Sequence, residues 1–263
     1  MAPASKLLAM KIAVSGKGGV GKTTIAALLA TALAQANRRV VAVDADPDSN
    51  LAACLGHLHP EEIRPLIELH DLIEERTGVR PGTRGGMFRL NPRVDDIPDE
   101  YGVDIGGVKV LVLGRLKQGG AGCYCPENAL LLSLTTHLLL DPDSDLILDM
   151  EAGIEHLTRG TVAAVDRLLV VVEPGRRSLE TARRIMDLAR DLGLAKVGVV
   201  LNKVSNPADE RFVRDELGDV GLLASLPYSD QLRRLDRERL TVAAADDGVG
   251  RAIGELLASL RKD

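Results

Sequence analysis

The chain has 263 residues, of which 45% are apolar and 27% charged, and its net charge is −5. This is the balance of an ordinary soluble globular protein and excludes a disordered or fibrous chain, while the excess of acids excludes a general nucleic-acid coat, which neutralises phosphates with clustered Lys and Arg. The length predicts one to two domains and burial of roughly 70–75% of the unfolded surface, enough to dispense with disulfides; with 2% aromatics and no Trp, the core must be aliphatic.

The opening MAPASKLLAM carries one Lys and a short apolar patch, without the h-region and cleavage site of a signal peptide. Residues 1–9 read as a flexible tail, and Met10 can serve as the functional start. Residues 10–263 then read as a single domain. Lys11–Ser15 (KIAVS) is a buried strand, followed by a glycine-rich loop and a helix over Lys22–Ala36. Arg39–Val43 is the next strand. From about Gly56 to Asp104 the chain is less regular: a polar helical segment, Pro60–Arg76, gives way to Gly, Pro and Arg, as in a peripheral insertion. Regular alternation then resumes, with strands over Val108–Leu113, Leu146–Asp149, Arg167–Glu173 and Lys196–Asn202 and a last strand ahead of Pro227-Tyr228. Helices fall over Pro126–Leu140, Ser178–Leu192, Asp209–Leu217 and Gly248–Lys262. Continuous Val, Ile and Leu runs suit a sheet covered on both faces. Their alternation with helices predicts an open, mostly parallel, three-layer α/β sheet, which binds ligands outside the carboxyl ends of its strands. No run approaches the ~18 apolar residues of a membrane-spanning helix.

Gly16-Lys17-Gly18-Gly19-Val20-Gly21-Lys22-Thr23-Thr24 lies between a strand and a helix and satisfies the phosphate-loop spacing of Gly, four residues, then Gly-Lys-Thr. Glycines let backbone N–H groups curl round phosphate oxygens. Lys22 supplies a point charge for the β- and γ-phosphates, the Thr23 hydroxyl is placed to ligate Mg²⁺, and the helix N-terminus adds free amides. Asp44-Ala45-Asp46-Pro47-Asp48-Ser49-Asn50 ends the second strand, where carboxylates can hold Mg²⁺ through water or orient an attacking water. Leu146-Ile147-Leu148-Asp149 is an apolar strand ending in a carboxylate, the Walker B arrangement; Asp149 is expected to hold a water of the Mg²⁺ shell, and the Gly153 amide to sense the γ-phosphate. Asn202, at another strand end, offers a donor and an acceptor to adenine, with Pro227-Tyr228 as a wall for the base.

Cys123 and Cys125 sit in a glycine loop ahead of a helix. Thiolates are soft ligands for nickel, zinc, copper(I) and iron–sulfur clusters, and two of them half-fill a tetrahedral or square-planar site. A two-fold axis would supply the other two from a second chain, and the nearby helix start favours the thiolate. Cys54, in Leu51–Leu55, fits a small core residue.

With its second lysine, Lys17, the motif KGGVGKT resembles the deviant Walker A of the MinD/ParA/nitrogenase-iron-protein superfamily of dimeric ATPases. That resemblance implies that Lys17 reaches the partner's nucleotide, that Asp46 in DADPDSN positions the hydrolytic water with Asp44 beside it, and that Asn202 recognises adenine. Together, KGGVGKTT, DADPDSN, GGAGCYCPENALL and DMEAGIEHLTRG resemble the CooC-type accessory ATPases that insert nickel into carbon monoxide dehydrogenase, over about Lys11 to Pro227. The resemblance implies ATP and Mg²⁺ as cofactors and a homodimer, while the few, unevenly spaced cysteines and the lack of signal-peptide features predict the cytoplasm. Nickel, or zinc in its place, would sit on Cys123 and Cys125 at the interface, with the dehydrogenase catalytic subunit as client. The iron–sulfur electron-transfer branch needs another cysteine just after the Walker B Asp, where this chain has Met150-Glu151-Ala152. Glu151, Glu155 and His156 are either auxiliary ligands or a solvated helix start. Partition ATPases that bind DNA are disfavoured because QLRRLDRER interleaves acids with its arginines; membrane-positioning ATPases, because GRAIGELLASLRKD lacks a basic, strongly amphipathic tail. A nickel-insertion ATPase for acetyl-CoA synthase or another client stays open, since client choice lies on a surface.

Overall fold

The computed structural model describes residues 8–83, 87–114, 125–151, 153, 157, 162–194, 196–218 and 221–261. Its strands are β1 (Lys11–Gly16), β2 (Val40–Asp44), β3 (Val103–Ile105), β4 (Val108–Val112), β5 (Asp145–Asp149), β6 (Arg167–Val172), β7 (Val197–Val204) and β8 (Leu222–Pro227). They form one sheet in the order β3-β4-β2-β5-β1-β6-β7-β8, parallel except for the β3–β4 pair. The helices are α1 (Lys22–Gln35), α2 (Leu51–Cys54), α3 (His70–Thr77), α4 (Ile97–Tyr101), α5 (Pro126–Leu140), α6 (Arg176–Leu192), α7 (Pro207–Leu217), α8 (Asp230–Arg237) and α9 (Asp247–Leu260).

The central strands are apolar on both faces because both faces are covered. Ile12 and Val14 of β1, Val40 and Ala42 of β2 and Ile147 of β5 pack beneath α1 and α9. Ala13, Val41, Val43, Leu146 and Leu148 point the other way, beneath α3, α5 and α6. This period-two division is the strand's own, and it yields the three layers that the alternation predicts. Fully buried leucines such as Leu29 and Leu33 of α1 each contribute about 2 kcal/mol through loss of apolar surface from water.

Pro60–Arg76 is not one helix. Two single 3-10 turns, Pro60–Glu62 and Leu66–Glu68, precede α3, separated by Ile63 and Pro65 in extended backbone. Pro65 removes a helical N–H and disfavours helix at the residue before it. The stretch from Gly56 to Asp104 nonetheless delivers Leu66, Leu72, Ile73, Val94 and Ile97 to the core beneath α5. Among the described residues no helix is long and apolar enough to cross a membrane.

Candidate functional site

Parallel pairing aligns the carboxyl ends of β2, β5 and β1. Asp44 is in register with Asp149, and Asp149 with Val14, two residues before Gly16. The turn from β1 into α1 therefore lies beside the two strand-end carboxylates. Gly16 has no room for a side chain: a Cβ there would come within 2.4 Å of Val171 O. Gly21, with φ 97°, is the N-cap of α1 and gives no side-chain cap to the first turn. A helix start of this kind, uncapped and preceded by a glycine loop, directs free N–H groups and a positive dipole at an anion. Lys22 is buried, its Nζ 3.7 Å from Asp46 Oδ2, while Lys17 is half-buried and Gly18 and Gly19 are exposed at the loop's tip.

Asp149 is fully buried, and neither of its oxygens meets a hydrogen-bond donor among the described residues. Burial pushes its carboxyl up to about 7, with Asp44 adding to the rise; the Thr23 hydroxyl and the Lys22 ammonium pull it back. Asp44 is also raised, to about 6, mainly by burial. Its oxygens are engaged, one by the Leu51 amide at 2.9 Å and the other by the Asp46 amide at 3.2 Å. The two carboxylates thus divide their work. Asp44 ties down the turn that carries Asp46, and Asp149 keeps two unpartnered oxygens facing Thr23. An orphaned buried carboxylate beside a hydroxyl, at the mouth of an anion cradle, is a donor set that fits a hard divalent cation such as Mg²⁺.

Three contributors escape motif reading. The Ser15 hydroxyl meets Glu151 O at 2.9 Å and Gly153 O at 2.8 Å, pinning the segment after β5 against the phosphate loop. Lys203 Nζ donates to Gly19 O at 2.6 Å and lies 2.9 Å from Glu173 Oε2. Only the strand-end position of Glu173 and the Lys beside Asn202 hint at this. Asn202 itself is buried, its Nδ2 donating to Val20 O at 2.8 Å and its Oδ1 accepting from the Lys203 amide. One amide hydrogen and one lone pair of that side chain take no part in these two bonds. Tyr228 is joined to β7 through its amide, which donates to Val204 O, and its ring carries the Arg233 guanidinium at 5.9 Å. The Gly153 amide donates to Glu151 O. Thr24 opens onto a cavity of about 90 Å³ that also reaches Asn50, Cys54, Asp236 and Arg239. Burial holds the Cys54 thiol up at about 12, so it stays protonated.

Cys125 is half-buried and is the N-cap of α5, with Pro126 as the first helical residue. Cys123, Glu155 and His156 lie outside the described residues, as do residues 1–7 of the expected tail. Among the described residues no three His, Cys, Asp or Glu side chains gather as a metal site.

The model of the CobQ/CobB/MinD/ParA nucleotide-binding domain matches residues 11–242, nearly the whole chain. The chain belongs to this family. The carbon monoxide dehydrogenase accessory protein CooC of Rhodospirillum rubrum is 47% identical over 236 residues, covering 88% of this chain and 89% of that protein. An ATP-binding protein of Methanocaldococcus jannaschii is also 47% identical, over 85% of this chain and 87% of its own length. Among solved structures, MinD in the MinC:MinD cell division complex of Aquifex aeolicus superposes with a TM-score of 0.69 at 20% identity, covering 97% and 96% of the two chains. A ParA family ATPase from Chlorobium tepidum gives 0.69 at 17% identity, over 96% and 98%. At such identities these last two speak for the MinD/ParA fold. The protein is a P-loop ATPase of the MinD/ParA type.

Proposed function

We propose that the chain is an accessory ATPase of carbon monoxide dehydrogenase, acting in the cytoplasm as an ATP-closed homodimer that delivers nickel to the dehydrogenase catalytic subunit. The observation that carries this reading is the 47% identity with CooC across 88% of the chain. It is supported by the Cys-x-Cys loop directly ahead of α5. Nickel, or zinc in its place, is cargo: Cys123 and Cys125 of each chain supply two thiolates, and the two-fold axis completes four.

In this reading the amides of the Gly16–Thr24 loop and the Lys22 ammonium hold the phosphates of ATP. Thr23 directly, and Asp149 through water, would hold Mg²⁺, which when bound neutralises charge on the β- and γ-phosphates. Asp46, in the turn just beyond β2 and 3.7 Å from the Lys22 ammonium, orients the attacking water and accepts its proton. Lys17 extends from the loop tip to the phosphates of the partner's ATP, so closure gains a contact that the open chain lacks. A ligand shifts such an equilibrium only through differential affinity of this kind, and linkage makes metal at the same interface strengthen nucleotide binding in return. Asn202 directs its remaining donor and acceptor to adenine, walled by Pro227 and Tyr228. Ser205 stands where a guanine-reading carboxylate would be needed.

Equilibrium dialysis against nickel, with sedimentation of the same samples, tests the scheme. One metal per two chains in the presence of ATP is expected, lost in the Cys123→Ser, Cys125→Ser double variant. Undiminished nickel binding by that variant would overturn it.

A further inference from the structure

The phosphate loop is gripped from outside by β7. Asn202 and Lys203 are consecutive, and consecutive strand residues ordinarily project to opposite faces, yet both side chains reach carbonyls of the same loop. Two irregularities make this possible. Lys203 adopts a left-handed backbone, φ 60°, and the β7–β8 register slips between Leu201 and Val204. A slip of this kind re-aims a side chain, and a left-handed residue with a Cβ persists only where its surroundings over-determine it. Those surroundings are specific. Glu173, just beyond β6, pairs with the Lys203 ammonium, and its own amide donates to Ser178 Oγ at 3.1 Å in the first turn of α6. Gly21 leaves no space beside the grip: a Cβ there would lie 2.3 Å from Asn202 Nδ2.

The consequence follows from peptide planarity. In a trans peptide the C=O of one residue and the N–H of the next point opposite ways, and the chain has no cis peptide among the described residues. Holding Gly19 O outward turns the Val20 N–H the other way, across the loop, where without nucleotide it donates a long hydrogen bond to Lys17 O at 3.4 Å. Holding Val20 O outward turns the Gly21 N–H inward in the same sense. Inward amides are what a phosphate loop offers its anion. We propose that Lys203, braced by Glu173 and acting beside Asn202, is a positioning residue that aims the Val20 and Gly21 amides at the nucleotide's phosphates. The proposal rests on the loop being the ATP phosphate site.

Calorimetric titration with ADP, steady-state ATP hydrolysis and melting of the ligand-free chain distinguish positioning from simple structural support. Mis-aiming one or two amide–phosphate bonds, each charge-assisted and made only on binding, should make Lys203→Met weaken ADP binding about tenfold or more. KM for ATP should rise by a similar factor while kcat stays within about twofold, as for loss of ground-state binding. The ligand-free melting temperature should stay near that of the wild type, and Lys203→Arg, which keeps a charged donor, should recover most of the affinity. Glu173→Gln, which keeps an acceptor for Lys203 without the charge, should lose a smaller factor in the same direction. Unchanged ADP affinity in Lys203→Met overturns the proposal, and so does a loss matched by a fall in ligand-free melting temperature. A wild-type chain that fails to bind ADP would instead overturn the nucleotide site itself.

Discussion

Asp46 and Lys22 lie 3.7 Å apart and yet predict opposite phenotypes. Lys22→Ala removes the charge proposed to meet the phosphates, so nucleotide binding itself should be lost. Asp46→Ala spares the cradle, so ATP should still bind while turnover falls by about a hundredfold or more, the usual scale for a positioned base; binding titrations beside phosphate-release assays separate the two. Asp149 carries a pH signature. Its folded carboxyl is held near 7, whereas an unfolded Asp titrates near about 4. Between those values the folded chain binds more protons than the unfolded one, so this group's contribution to stability declines as pH rises. In metal-free buffer the melting temperature of Asp149→Asn should therefore overtake that of the wild type progressively from about pH 5 to about pH 8. A constant difference across that range would show that Asp149 carries no such burden. The strand-end position of Asp149 was plain from Leu146–Asp149, but its lack of any hydrogen-bond partner was not, because that depends on what β2 and α1 bring alongside.

At the scale of elements, the ends of α5 follow from local chemistry. Pro126 pre-sets the first helical φ, and the run ends at Leu140 as the spacing predicts. The break within Pro60–Arg76 is also local, since Pro65 marks it, but the polar helical composition of the segment masks that signal. Lys11 shows what composition cannot reveal. It sits in β1, yet its ammonium is buried and donates to Leu138 O at 2.9 Å and Ser144 O at 2.7 Å, tying the last turn of α5 to the approach to β5. Burial lowers its pKa, against the pull of Asp141, Asp145 and Asp166. Lys11→Met should destabilise the chain by about 1–3 kcal/mol by leaving those carbonyls unpaired. It should leave KM for ATP unchanged, because Lys11 stands at the far end of β1 from Gly16, roughly 17 Å away at strand rise. Chemical denaturation with parallel kinetics checks both halves; a selective loss of ATP affinity would contradict the assignment.

At the scale of the whole molecule, the proposed function requires a second copy of the chain. ATP is expected to convert a monomer into a dimer in sedimentation, and Lys17→Ala to remain monomeric while still binding ATP, because in the proposed scheme Lys17 spends its charge on the partner's phosphates. A Lys17→Ala chain that dimerises as the wild type does would remove the motive for closure. The proposed nickel site on Cys123 and Cys125 should weaken as pH falls, since thiolates must lose protons to bind, and nickel dialysis at several pH values measures it.

The sequence alone determined the layered, mostly parallel sheet and the placement of Gly16–Thr24, Asp46, Asp149 and Asn202 at or near the carboxyl ends of strands, because hydrophobic period and glycine spacing are local properties of a chain. Tertiary structure decided what those residues touch. The order β2-β5-β1, which sets Asp44 beside Asp149, joins strands separated by more than a hundred residues. The grip of Lys203 and Asn202 on Gly19 and Val20 spans more than 180 positions and depends on a left-handed backbone at a residue whose type does not announce it. Ser15 reaches the carbonyls of Glu151 and Gly153 only because β1 and β5 pair in that register. Such contacts arise from packing between distant segments, and no window of neighbouring residues contains them.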